Sequence, residues 1–100
     1  MITSAKVKEL IQTQLQSEHD LTNVHGVDIT KSLIEPFKQD YKSDNGEIIE
    51  LWTVLREYES HGYSIFYDQE DNMFGLGMIS NEGMHNIGYH GTFLDALKGM

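Results

Sequence analysis

The chain has 100 residues, of which 39% are apolar and 23% are charged, so its size and composition are those of one globular domain. It contains no cysteine, which excludes disulfides, thiolate metal sites and thiol nucleophiles. Its formal net charge of −9 argues against binding to nucleic acid or to an anionic membrane, because both need basic side chains to neutralise phosphates.

The acidic charge is concentrated in the second part of the chain. Residues 1–42 carry six acids against five lysines, whereas residues 43–97 carry ten acids against Arg56 alone. This distribution predicts either plain solubility of a small protein or an acidic face directed at a basic partner. No segment has the length of a membrane span and the N-terminus has no signal-like apolar run, so we expect a cytoplasmic protein.

Residues 1–19 have the pattern of an amphipathic helix. A hydroxyl of Thr3 or Ser4 can cap its first turn, and its apolar residues recur at helical spacing. These residues are Val7, Leu10, Ile11 and Leu15. Residues 18–32 have no period and contain a glycine, so they predict a connector.

The middle of the chain predicts an antiparallel meander over residues 36–79. Pro36 lacks a backbone donor, which limits residues 33–41 to an edge strand or a short turn of helix. Residues 48–57 fit both a helical stripe and a strand, and the strand is favoured because turn signals bracket the segment. Residues 63–68 and 73–79 predict a hairpin with a polar tip between them.

Alternation in the second strand of this hairpin separates two faces. Phe74, Leu76 and Met78 fall on one face and are expected in the core. Gly75 and Gly77 fall on the other, where they permit either close packing or a bound ligand.

The chain ends in a predicted loop and a closing helix. Residues 80–87 predict the loop, and Thr92 with Asp95 has the form of a capping box that starts a helix over residues 92–99. The whole sequence therefore predicts one α+β domain, residues 1–100, in which an N-terminal helix and a short C-terminal helix pack on a sheet of three to four strands. Helices on one face would leave the other face open for dimerisation.

No catalytic or cofactor motif is present in the sequence. Gly88-x-x-Gly91 has the glycines of a phosphate loop but no following lysine. Loop histidines at His61, His85 and His90 are weak candidates for a metal site. We therefore expect a protein that is not an enzyme and that needs no cofactor.

Aromatic and acidic side chains meet at the predicted hairpin. Tyrosines that alternate onto one face stand beside acids at the tip, which is typical either of a sheet core or of an interaction surface. The candidate surface comprises Tyr63, Tyr67, Asp68, Glu70, Asp71, Gly75 and Gly77.

The predicted function is that of a small acidic non-enzymatic binding protein. It would act as an inhibitor, antitoxin or immunity-type partner of a basic protein, because such a role needs only the charge asymmetry and an exposed surface. The alternative is a structural or homodimeric accessory protein with no ligand chemistry.

Overall fold

The computed structural model describes residues 3–15, 33–43, 45–56, 62–80 and 83–99. The predicted connector over residues 18–32 lies outside the described residues. The elements, in chain order, are helix α1 (Ser4–Leu15), strands β1 (Leu33–Lys42), β2 (Ile48–Arg56), β3 (Gly62–Asp68), β4 (Met73–Ser80) and β5 (Gly83–Gly91), and helix α2 (Phe93–Gly99). They form one small α+β domain, which confirms the predicted class.

The five strands close into a barrel in the order β1-β2-β3-β4-β5. Successive strands pair antiparallel, and a short parallel pairing of β1 with β5 closes the barrel at Tyr41↔Met84 and Lys42↔His85. The predicted open meander is therefore wrong. Residues 80–87 were expected to form a loop, but most of the described ones belong to β5, which supplies the closing strand.

Strand β1 continues through Pro36, so residues 33–41 form the strand of the two alternatives expected there, and not the short turn of helix. The register between β1 and β2 shifts between Leu33 and Phe37, so the proline lies at an irregularity of the ladder, where its missing N–H is tolerated. Strand β2 confirms the strand prediction for residues 48–56, and residue 57 lies outside the described residues. Its connection to β1 is a tight turn in which Gly46, at φ 88°, donates its N–H to the carbonyl of Ser43.

The first core, called here the outer layer, lies between the barrel and the two helices. Its buried members are Val7, Ile11, Trp52, Val54, Leu55, Ile65, Tyr67, Phe74, Leu76, Phe93, Ala96 and Leu97. The predicted burial of Phe74 and Leu76 is confirmed, whereas Met78 lies outside this cluster and is 40% exposed. Helix α2 begins as predicted, because the Thr92 hydroxyl accepts from the N–H of Asp95 at 3.0 Å.

The second core, called here the inner layer, fills the barrel itself. It consists of buried Tyr41, Leu51 and Phe66 with Ile49 and Met84 against them. The sheet face that was expected to lie open for dimerisation is thus the inside of the barrel. Neither described helix has the length and apolar character needed to cross a membrane.

Candidate interaction site

Four of the seven residues of the predicted interaction surface lie inside the protein. Tyr67 is 3% exposed and belongs to the outer layer, and Asp68 is 6% exposed. Gly75 and Gly77 are buried against the inner layer: a Cβ on Gly75 would lie 2.5 Å from the Phe66 ring, and one on Gly77 would lie 2.6 Å from the Tyr41 ring. The glycine face is therefore filled by side chains of the barrel interior.

The exposed part of that surface is the turn between β3 and β4, called here the hairpin tip (residues 69–72). Glu70 and Asp71 are both exposed, whereas Tyr63 is half-buried against the outer layer. The buried carboxylate of Asp68 holds the tip in place, because its Oδ1 accepts from the N–H of Glu70 at 2.9 Å and of Asp71 at 3.4 Å. The two exposed carboxylates therefore project from an ordered turn.

A tyrosine from β5 completes this arrangement. The Tyr89 hydroxyl donates to Asp68 Oδ2 at 2.9 Å, and its ring meets Phe66 edge-on at 5.4 Å between centroids. Burial, together with the neighbouring carboxylate of Asp68, raises the pKa of Tyr89 to about 12. Tyr89 is thus a neutral donor at pH 7 that connects β5 to the base of the hairpin tip.

A pocket of about 330 Å³ lies between the β1–β2 hairpin and the hairpin tip. We call it the Trp52 pocket. Its lining residues are Lys38, Ile48, Ile49, Glu50, Trp52, Asp68, Gln69 and Glu70. The lining combines apolar side chains with three carboxylates and a single ammonium, so the pocket is amphipathic and acidic.

Trp52 is fixed within this pocket from two sides. Its indole Nε1 donates to Gln69 Oε1 at 2.9 Å, and the Lys38 ammonium lies 5.4 Å from the ring centroid. Lys38 is the direct cross-strand partner of Trp52 in the β1–β2 ladder, and its Nζ also lies 3.8 Å from Glu50 Oε1. A cation already occupies the face of the tryptophan ring.

The acids of this site differ from those near helix α1. There, Ser4 and Lys8 both donate to Glu35 and lower the pKa of its carboxyl. Within the described part of the chain, no basic side chain forms an ion pair with Glu70 or Asp71. Among the described residues, the negative charge of the hairpin tip therefore has no basic partner.

The histidines do not converge in the part of the chain that is described. His61 lies outside it, His85 Nε2 is 3.0 Å from Ser80 Oγ across the β4–β5 pair, and His90 is exposed. Among the described residues, no three histidine or carboxylate side chains are grouped closely enough to hold a metal ion.

Comparison with known proteins identifies no similar protein. No family model matches the chain, and no match is found among the curated proteins or the solved structures.

Proposed function

We propose that the protein is a small acidic, cytoplasmic, non-enzymatic binding protein that recognises a basic protein through the hairpin tip and the Trp52 pocket. The observation that carries the proposal is the position of Glu70 and Asp71, which are exposed and lack an ion-pair partner among the described residues, beside an amphipathic pocket. An inhibitor, antitoxin or immunity-type role is consistent with it. The cysteine-free composition suits a reducing compartment.

The chemistry of the site supports recognition of a protein surface. The 66% exposed Ile48 provides apolar contact area, and the Trp52 ring, which is only 8% exposed, lines the same pocket. The surrounding carboxylates would steer a basic partner toward this area and accelerate association. Because the hydrogen bonds of Asp68 already order the tip, little conformational entropy is lost on binding.

Charge reversal at the tip tests the proposal. The immobilised protein is exposed to a lysate of its source cell at low and at high salt, and the retained basic protein is identified by mass and then purified. We expect Glu70→Lys and Asp71→Lys together to weaken its binding at low salt by about tenfold or more, because attraction becomes repulsion at two rim positions.

The control is Glu9→Lys, which makes on helix α1 the charge reversal that each single tip substitution makes, at an exposed residue that does not line the pocket. This variant should retain most of the wild-type affinity. Affinity for the purified partner that is unchanged both by added salt and by the tip substitutions would contradict the proposal.

A further inference from the structure

The Trp52 pocket contains a cation site that the protein fills with its own side chain. The Lys38 ammonium over the indole ring and its ion pair with Glu50 are the two interactions that such a site would offer to an incoming cation. The Lys38 side chain is 41% exposed and that of Glu50 is 58% exposed. Ion pairs this exposed contribute little free energy, so Lys38 is a weakly held occupant.

The pocket also suits a long side chain with an apolar stem and a cationic end. Ile48 and the Trp52 ring provide apolar contact for methylene groups, and Glu50 and Glu70 provide carboxylates for the charge. A guanidinium group fits these partners better than an ammonium, because it is planar, stacks on aromatic rings and binds carboxylates in a bidentate manner. The volume of about 330 Å³ lies at the lower end of the range for ligand pockets.

We infer that the Trp52 pocket receives a single arginine side chain of the basic partner, and that Lys38 is the internal cation which this arginine displaces. The inference rests on the proposed function and names the chemical group that the partner contributes. In the free protein Lys38 covers the ring, so an arginine must compete with it. Gln69 holds the indole in the same orientation before and after the exchange.

The experiment uses the full chain and a defined probe. Trp52 is the only tryptophan, so its indole N–H signal in a ¹H–¹⁵N spectrum and its fluorescence report on the pocket alone. N-acetyl-arginine amide is titrated against the wild type, and N-acetyl-lysine amide is titrated in parallel. We expect a saturable change with the arginine probe at millimolar concentration and a weaker one with the lysine probe.

Removal of the internal competitor should tighten arginine binding. For Lys38→Met we expect the affinity for the arginine probe to rise about two- to fivefold, which is the ratio that corresponds to loss of one exposed cation–π contact. The matched control is Lys42→Met, which removes the same charge from the same strand at a residue that does not line the pocket. It should change the affinity far less than Lys38→Met.

Three results would overturn the inference. The first is an equal rise in affinity for the arginine probe in Lys38→Met and Lys42→Met, which would indicate an effect of net charge alone. The second is no saturable change of the indole signal with the arginine probe in either variant. The third is binding of the lysine probe as tight as that of the arginine probe. The result of the probe titration does not depend on the result of the capture experiment. Selective arginine binding without a salt-sensitive basic partner would refute the proposed function only, whereas a partner lost on tip reversal with no arginine response would refute the pocket inference only.

Discussion

The inside and the outside of the barrel are packed by different means. The outer layer is made of apolar side chains that two helices cover, and its aromatic rings meet at ordinary distances, such as 5.7 Å between Phe74 and Phe93. The inner layer has three large buried members and depends on glycine for space. Polar groups also enter it: the Thr53 hydroxyl donates to Gln39 Oε1 and so can accept from buried Tyr41.

The difference follows from the width of the enclosed space. A five-stranded barrel is narrow, so a large inward-facing residue on one strand fits only where the neighbouring strand carries almost no side chain. Phe66 on β3 and Gly75 on β4 are direct partners in the ladder and form such a pair. The outer layer has no comparable limit, because a helix can settle at the distance that its side chains require.

The largest effect is expected in the outer layer. Phe93 is fully buried and holds the short helix α2 against the barrel, so Phe93→Ala should lower the free energy of unfolding by about 3–5 kcal/mol, as measured by urea denaturation. Its neighbour Leu94 is only partly buried, so Leu94→Ala serves as a control with a smaller loss. A loss below about 1 kcal/mol for Phe93→Ala would mean that α2 adds little to the outer layer.

A smaller effect is expected in the inner layer. Gly75→Ala places a methyl group 2.5 Å from both the Phe66 ring and the carbonyl oxygen of Gly88, so it should destabilise the protein by about 1–3 kcal/mol. Adding Phe66→Leu removes the contact of the new methyl group with the Phe66 ring, but the contact with the carbonyl oxygen of Gly88 remains. In a double-mutant cycle by urea denaturation, the pair should therefore lose less stability than the sum of the single variants. Additive losses would show that Phe66 does not limit the space at Gly75.

Sequence periodicity predicted the elements whose patterns are local. Helix α1 and the hairpin of β3 and β4 followed from spacing and turn residues. Closure of the barrel could not be predicted in this way, because it depends on two residue pairs in a parallel ladder between β1 and β5, which are distant in the sequence. Strand β5 could not be recognised from the sequence, because two register shifts interrupt its pairing with β4. These shifts also interrupt the alternation of its side chains, which is the signal that predicts a strand.

The candidate site was predicted only in part for the same reason. Glu70 and Asp71 were identified from the turn that carries them. No local motif of the sequence marks Trp52 or Lys38 as part of this site. A signal was nevertheless present: the tight turn after Lys42 sets a pairing in which Lys38 falls opposite Trp52. Tyr89 cannot be found in this way, because the sequence predicts no strand after residue 79.

The smallest expected effect concerns Tyr89, which joins the inner layer to the base of the hairpin tip. Loss of its hydrogen bond to Asp68 should make Tyr89→Phe less stable than the wild type by about 1 kcal/mol at pH 8. The pKa of Tyr89 is raised from 10.0 to about 12 in the folded protein, so the folded state holds the proton more tightly than the unfolded state. This contribution is complete below about pH 10 and is lost as the pH rises toward 12.

Urea denaturation of both proteins at pH 8, 10 and 11 measures this effect. The stability difference between wild type and Tyr89→Phe should stay constant up to about pH 10 and then narrow, because only the wild type loses a proton at this position. The variant is its own control for every other group that titrates in this range, including buried Tyr41, whose pKa is also raised by burial. A difference that stays constant to pH 11 would mean that neither burial nor the Asp68 carboxylate raises the pKa of Tyr89 in solution.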